Sequence, residues 1–362
     1  MRNLPQVATN FSDTDWNKYL LSIGEPGYRS LQIRKHLFQL HTRTFSEMTN
    51  LPKQLRLILN ETLLTYGLKE HSKKKSADNQ TTKVLLKTYS DEFVESVSIK
   101  ENTKNIHQGS INLRHTVCVS SQIGCAMRCV FCASGISGLS RNLSTGEILD
   151  QVVIAKRDFG PVNNIVFMGM GEPLANLKEV IPAIKILCSK DFFGLSPRRI
   201  TVSTVGLVSG INKLINLGLP LGLAISLHAP DDQLRHQLVP TSKNLSIHEI
   251  IYAANRYSET LHRTITFEYV LLKGINDSHT HARKLVNLVK KLRCKVNLIP
   301  YNKVDDYTNL KRPSTQAIVK FSNILKQNKL QTTIRKEKGA DVAAACGQLR
   351  SSQTKNDTLT SL

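Results

Sequence analysis

The 362-residue chain has no hydrophobic run long enough to cross a membrane. A spanning helix needs roughly 20 consecutive apolar residues, whereas the most apolar stretch, residues 217–227, is short and interrupted by Pro220. The first ten residues also lack the apolar segment of a secretory signal peptide. We therefore expect a cytoplasmic protein with no membrane association.

Aromatic and cysteine residues are also few. Aromatic side chains make up 6% of the chain, which argues against a platform for stacking bases. Seven cysteines, an odd number, argue against a disulfide framework and favour reduced thiols or a metal centre. Hydrophobic residues at 40% and a length of roughly two domains argue against wholesale disorder.

The chain has few acidic residues relative to basic ones. The chain has 49 Lys and Arg against 28 Asp and Glu, which leaves a net charge of +21. Residues 111–340 alone contain 31 basic and 15 acidic residues. A surface of this charge attracts phosphate backbones. The composition favours a nucleic-acid partner, with a generally basic, solvated surface as the alternative.

The first 68 residues have the pattern of short amphipathic helices. The first helix is expected to be capped by Ser12 or Asp13 and closed by Gly24. A second spans the stripe of residues 31–40, and a third begins at Pro52.

The pattern changes after this helical region. Residues 69–83, rich in lysine, serine and threonine, predict a polar linker or an exposed turn. Strand patterns begin at residue 84, and after residue 111 β-rich runs alternate with helical runs. The β runs are residues 115–121, 164–170, 199–205, 221–227, 264–272, 295–301 and 332–336. Repeated βα units with apolar strands predict a parallel sheet covered by helices. About six units are fewer than the eight of a closed barrel, so we expect an α/β fold with a partial (β/α)6 barrel and a small helical N-terminal domain.

Three cysteines, Cys125, Cys129 and Cys132, lie within eight residues directly after the first of these β runs. Tetrahedral zinc needs four ligands, and no further cysteine or histidine is suitably spaced. Three thiolates on a [4Fe–4S] cluster leave one iron open to another ligand. The spacing Cys-x3-Cys-x2-Cys, with an aromatic residue before the last cysteine, is the signature of radical S-adenosylmethionine (SAM) enzymes. Three coincidental core cysteines are the alternative, which the loop-forming Gly124 and Ser134 disfavour.

The second β run ends in the sequence Gly-Met-Gly-Glu-Pro, residues 169–173. Glycine at a strand end lets the backbone approach a ligand closely, and the Glu172 carboxylate can accept a hydrogen bond from an ammonium group. Alone, this motif is equally consistent with a turn that starts a helix. Its position one βα unit after the cysteines favours SAM binding by Gly171 and Glu172.

Six segments together resemble the RlmN family and its close relative Cfr, which are radical SAM methyltransferases of adenosine in RNA. They are CVSSQIGCAMRCVFC, FMGMGEPLANL, ITVSTVGL, LAISLHAPDD, VNLIPYN and DVAAACGQL. The resemblance covers about residues 12–350. It implies an RNA-binding helical domain at 1–83, a strand connection at 84–110, a radical SAM core at 111–340 and a C-terminal segment at 341–362.

The resemblance also implies substrates, cofactors and partners. It implies methylation at C2 of adenosine 2503 in 23S rRNA and of adenosine 37 in certain tRNAs. It further implies one [4Fe–4S] cluster on Cys125, Cys129 and Cys132, two SAM molecules per turnover, and an electron donor such as flavodoxin or ferredoxin. We expect a monomer.

Three further residues match catalytic residues of the family. Cys346 matches the cysteine that takes a methyl group from the first SAM; a 5′-deoxyadenosyl radical from the second SAM then activates this group, which adds to adenine C2. Cys118 matches the cysteine that attacks the Cys346 sulfur, releasing methylated RNA and leaving a transient disulfide. Glu95 matches the acid that accepts the C2 proton. Without the resemblance, Cys118 reads as an inert buried thiol and Glu95 as the polar face of a strand.

Other matching positions lie at the predicted carboxyl ends of strands, where a barrel binds its ligand. The SAM contacts implied there are Ser203, Ser226, Leu227, His228 and Asn302. Cys188 and Cys294 match no family role and are expected to be structural.

Two alternatives remain open. A Cfr-type enzyme would methylate adenosine C8 and confer antibiotic resistance; Pro173 and Pro300 resemble RlmN, whereas residues 25–33 and 196–200 resemble Cfr. A non-catalytic iron–sulfur RNA-binding protein is the second alternative. The matched catalytic residues disfavour it, because binding alone requires none of them.

Overall fold

The computed structural model describes residues 6–104, 111–136, 138–241, 245–304, 309–336 and 338–349. The predicted polar tail after residue 350 lies outside these ranges. The helices are α1 (Asp13–Ser22), α2 (Arg29–Lys35), α3 (Lys53–Thr62), α4 (Thr145–Phe159), α5 (Leu177–Cys188), α6 (Val208–Leu217), α7 (Asp232–Leu238), α8 (Ile247–Leu261), α9 (His279–Val289) and α10 (Thr315–Gln327). The strands are β1 (Gln6–Val7), β2 (Leu63–Leu64), β3 (Leu68–Lys75), β4 (Thr81–Thr88), β5 (Phe93–Lys104), β6 (Ile111–Cys118), β7 (Gln122–Gly124), β8 (Leu139–Asn142), β9 (Asn164–Phe167), β10 (Ile200–Thr204), β11 (Gly222–Ser226), β12 (Ile265–Leu271), β13 (Cys294–Pro300) and β14 (Gln331–Ile334).

One ten-stranded sheet organises the chain, in the order β14-β13-β12-β11-β10-β9-β6-β5-β4-β3. Strands β6, β9, β10, β11, β12, β13 and β14 run parallel to one another. Strands β5, β4 and β3 continue the sheet beyond β6, each antiparallel to the one before it. Helices follow β6 and each strand from β9 to β13. The predicted α/β class and partial (β/α)6 barrel are therefore confirmed, with β14 as an added parallel strand.

The N-terminal helices form as the local sequence predicts. Ser12 caps α1: its hydroxyl accepts from the Asp15 N–H, and the Asp15 side chain accepts in return from the Ser12 N–H. This reciprocal arrangement satisfies two N–H groups that a helix start leaves unpaired. Trp16 is fully buried in the hydrophobic core. The ring centroids of Phe38 and Phe192 lie 5.6 Å apart, and this contact joins the helical region to the barrel.

The predicted polar linker at residues 69–83 is wrong for most of its length. Residues 68–75 form β3, which pairs with β4, and the turn is confined to residues 76–80. The polar composition arises because β3 is the outermost strand of the sheet, with most of its side chains exposed. Lysines on an edge strand discourage pairing with another chain. The boundary expected at residue 83 falls within β4, and the division into domains stays a prediction.

The hydrophobic core lies between the sheet and the helices that cover it. Apolar residues of the central strands, such as Ile225 and Phe267, are fully buried. Tyr269 of β12 packs on Phe321 of α10 with ring centroids 5.4 Å apart. None of the helices in the described ranges has the length and apolar character to cross a membrane.

Candidate active site

A cavity opens at the carboxyl ends of the parallel strands, with about 900 Å³ of open space. Most of the residues predicted from the sequence line it: Cys125, Cys129, Cys132, Gly171, Glu172, Ser203, Ser226, His228, Asn302 and Cys346. The topology thus brings together residues that are up to 221 positions apart in the chain.

The three-cysteine loop is held in shape by glycine. Gly124 has φ +73°, and a Cβ atom there would lie 1.9 Å from the Gly138 carbonyl oxygen. That carbonyl accepts a hydrogen bond from the Cys125 N–H at 2.9 Å. Only glycine fits this approach, so the loop leaves β7 in the direction that turns its cysteines into the cavity.

The chemistry of the three thiols fits an iron–sulfur cluster, because cysteine thiolates are the usual ligands of such clusters. All three cysteines line the cavity. Burial, and then the charge of Cys132, raises the pKa of Cys129 well above its usual value. Iron would offset the cost of holding such buried thiolates.

Glu172 is positioned by backbone N–H groups. Its side chain is almost wholly buried and accepts from the Val205 N–H at 2.8 Å and the Leu174 N–H at 3.0 Å. Its own N–H donates to Gln122 Oε1 at 2.8 Å. Burial raises the pKa of this carboxyl to about 7. A cationic ligand in the cavity would favour its ionised form.

His228 has a fixed tautomer. Its Nδ1 accepts a hydrogen bond from the Val270 N–H at 3.1 Å, so the ring proton must be on Nε2. Burial lowers the pKa of His228 to about 3, which keeps the ring neutral. The ring lies edge-to-face with Phe131 at 4.6 Å between centroids. His228 therefore offers the cavity a neutral N–H donor.

The segment that carries Cys346 is tied to the cysteine loop and to β13. The Cys346 carbonyl accepts from Asn302 Nδ2 at 3.1 Å. The Gly347 carbonyl accepts from the Ala133 N–H at 2.7 Å, directly after the last loop cysteine. The Ser134 hydroxyl donates to the Leu349 carbonyl at 2.8 Å. These long-range bonds hold Cys346 in the cavity wall.

Three predicted site residues do not line this cavity. Cys118, at the end of β6, keeps part of its surface exposed; burial of the rest, and then the charge of Cys346, raises its pKa to about 12. Glu95 is buried on β5, with Oε1 2.8 Å from Lys83 Nζ. The Leu227 side chain is fully buried in the core, so only its backbone could contact a ligand.

Comparisons with known proteins agree with this geometry. A model of the radical SAM superfamily matches residues 119–286, and a model of the ribosomal RNA large subunit methyltransferase N-terminal domain matches residues 8–64. The chain is 42% identical to the probable dual-specificity RNA methyltransferase RlmN of Rhodopirellula baltica, over 97% of this chain and 96% of that protein. The chain belongs to the RlmN family.

Other members of the RlmN family and a solved structure are similar over nearly the whole chain. The ribosomal RNA large subunit methyltransferase N of Nitrosopumilus maritimus is 41% identical over 93% of this chain and 96% of that protein. A crystal structure of a radical SAM methyltransferase from Sphaerobacter thermophilus has a TM-score of 0.89 and 38% identity, covering 96% of this chain and 99% of that chain. The radical SAM fold is thereby shown.

Two charged residues of this RlmN-family site were not predicted from the sequence. Glu268 of β12 and Arg335 after β14 both line the cavity. Glu268 is buried and accepts from Asn297 Nδ2 at 2.8 Å. Two features of the sequence could have indicated them. Glu268 is a carboxylate within the largely apolar run 264–272, and Arg335 is a basic residue near the end of the last β run.

Proposed function

We propose that this protein is a radical SAM methyltransferase that forms 2-methyladenosine in RNA, at adenosine 2503 of 23S rRNA and adenosine 37 of certain tRNAs. The observation that carries the proposal is the meeting of the three-cysteine loop, Glu172 and Cys346 in one cavity. Relatives over almost the whole chain that are named dual-specificity RNA methyltransferases support the RNA substrates. The net charge of +21 suits an RNA partner.

Cys125, Cys129 and Cys132 would hold a [4Fe–4S] cluster and leave one iron for SAM. When bound there, the cluster supplies the electron that cleaves SAM. Around it, Glu172 accepts from the methionine amine and His228 donates through Nε2. The remaining SAM contacts are assigned to the cavity residues Gly171, Ser203, Ser226 and Asn302 and to the Leu227 backbone.

Cys346 and Cys118 are proposed to make methylation possible at a carbon that ordinary methyl transfer does not reach. Adenine C2 is electron-poor and its hydrogen is not acidic, so it does not attack an electrophilic methyl group. A methyl group first placed on the Cys346 sulfur can instead be activated and added to the ring. Cys118 then resolves the thioether between Cys346 and adenine.

Glu95 is proposed to accept the C2 proton. It sits on β5, and the same strand pairs with β6 so that Val97 lies opposite Cys118. Lys83 Nζ lies 2.8 Å from Glu95 Oε1, so the carboxyl group is held by a partner from the neighbouring strand β4. We further propose that the enzyme acts as a cytoplasmic monomer and receives electrons from flavodoxin or ferredoxin.

The product is tested by mass spectrometry of nucleosides from a methylation-null host that expresses this chain. We expect 2-methyladenosine in both rRNA and tRNA. Its absence from tRNA would restrict the substrate to rRNA. The appearance of 8-methyladenosine would overturn the C2 assignment in favour of Cfr-type chemistry.

The cysteine roles are tested with Cys118→Ala and Cys346→Ala, and with Cys188→Ala as a control. Cys118→Ala should stall as a protein–RNA adduct that survives denaturation, because nothing attacks the carrier sulfur. Cys346→Ala should form neither adduct nor product, and the double variant should lose the adduct. Cys188, partly buried at the end of α5, should be dispensable. An adduct with Cys346→Ala would refute the assignment.

A further inference from the structure

Arg335 lines the cavity, and the proposed reaction so far assigns it no role. It directly follows β14, and its N–H donates to the Leu298 carbonyl at 2.8 Å, which holds it against β13. The side chain lines the same cavity as Cys346 and Glu268. Within the described residues, the guanidinium makes no hydrogen bond and no ion pair. Its five donors are therefore available to a transient charge.

Four ionisable groups, each on a different element, act on Arg335. In their ionised forms, Cys346 on the C-terminal segment, Glu268 of β12, Cys118 of β6 and Glu101 of β5 raise the pKa of Arg335, in decreasing order of effect, and burial lowers it. The chain that follows Arg335 reaches the strand next to that of Cys118: Lys338 forms an ion pair with Glu101 of β5, and β5 pairs with β6, which ends at Cys118.

A nearby cation favours the ionised form of the Cys118 thiol. Burial, and then the charge of Cys346, raises the pKa of Cys118 to about 12, whereas Arg335 and a hydrogen bond from the Met168 N–H lower it. On the β5 side, Ser96 donates its hydroxyl to the Cys118 carbonyl and not to the sulfur. Since only the thiolate is nucleophilic, the resolving step depends on whatever stabilises it.

We propose that Arg335 is a positioning residue that stabilises the Cys118 thiolate as it attacks the Cys346 sulfur; this inference rests on the proposed function. In this step the Cys118 thiolate supplies an electron pair and the S–S bond forms. The bond from the Cys346 sulfur to the methylene carbon breaks, and its electron pair passes to that carbon, which takes up a proton and becomes the methyl group. A dithiol reductant then returns the disulfide to two thiols.

The first test measures the reactivity of Cys118 without any RNA. Cluster-loaded wild type, Arg335→Met, Arg335→Gln, Arg335→Lys and Lys336→Met are treated with iodoacetamide between pH 7 and 10, and labelling of the Cys118 peptide is quantified. Lys336 is the exposed neighbour, so its variant removes one charge outside the cavity. Arg335→Met and Arg335→Gln should label Cys118 about tenfold more slowly, a one-unit upward shift of the pH profile. Arg335→Lys and Lys336→Met should resemble wild type.

The second test follows single turnover with RNA. Arg335→Met and Arg335→Gln should accumulate the protein–RNA adduct that Cys118→Ala accumulates, while Lys336→Met should release product as wild type does. Iron content and visible absorption of each variant identify any that fails to fold. The role of Arg335 would be overturned if Arg335→Met and Arg335→Gln both labelled Cys118 at the wild-type rate. Methylation by these two variants without an adduct would overturn it as well. If the wild type itself forms no methylated RNA, the proposed function fails, but the labelling result still stands.

Discussion

Gly171 illustrates how a backbone position sets the geometry of the proposed SAM site. It has φ +99°, and a Cβ atom there would lie 2.5 Å from Gln122 Cβ and 2.9 Å from the Gln122 backbone nitrogen. Gly160, at the end of α4, has a similar φ of +90° and no atom within 4 Å of its Cβ position. Replacing either by alanine costs about 1–3 kcal/mol for the positive φ. The clash at Gly171 adds about 1–3 kcal/mol of overpacking.

We therefore expect Gly171→Ala to lose about 1–3 kcal/mol more free energy of unfolding than Gly160→Ala. Urea denaturation followed by circular dichroism measures both variants. Gly171→Ala should also weaken SAM binding, because displaced Gln122 no longer accepts from the Glu172 N–H, while Gly160→Ala should bind SAM as wild type does. Equal losses of stability in the two variants would refute the steric reasoning.

Three further predictions concern stability and RNA binding. Ser12→Ala should lower the free energy of unfolding by about 1 kcal/mol in urea titrations, because it removes the cap of α1; an unchanged midpoint would contradict the capping role. Burial raises the pKa of Asp150 from 3.8 to about 8, so the folded chain retains a proton there that the unfolded chain releases between about pH 4 and 8, and stability falls as the pH rises. Asp150→Asn should flatten this fall between pH 5 and 8, and a slope equal to that of wild type would refute it. RNA affinity should decrease linearly in a plot of log affinity against log salt concentration; a flat response would exclude phosphate contacts as its source.

Local patterns were sufficient to predict much of this protein. The capped helix at Ser12 depends on residues three positions apart, and the apolar β runs are recognisable because both faces of the barrel strands are buried. The cysteine spacing is likewise local, since a cluster bound by one loop needs its ligands close in sequence. Resemblance to the RlmN family located Cys346, whose short segment has no other distinguishing pattern.

The tertiary structure decided what depends on contacts between distant segments. Residues 69–83 look like a linker because an edge strand has the polar composition of a loop, and only pairing with β4 distinguishes the two. Leu227 lies beside the site in sequence, but its side chain is directed into the core. Arg335 and Glu268 share the cavity with Cys346 only because β12, β13 and β14 are neighbours in the sheet. Composition and spacing carry no information about such charges until the sheet order is known.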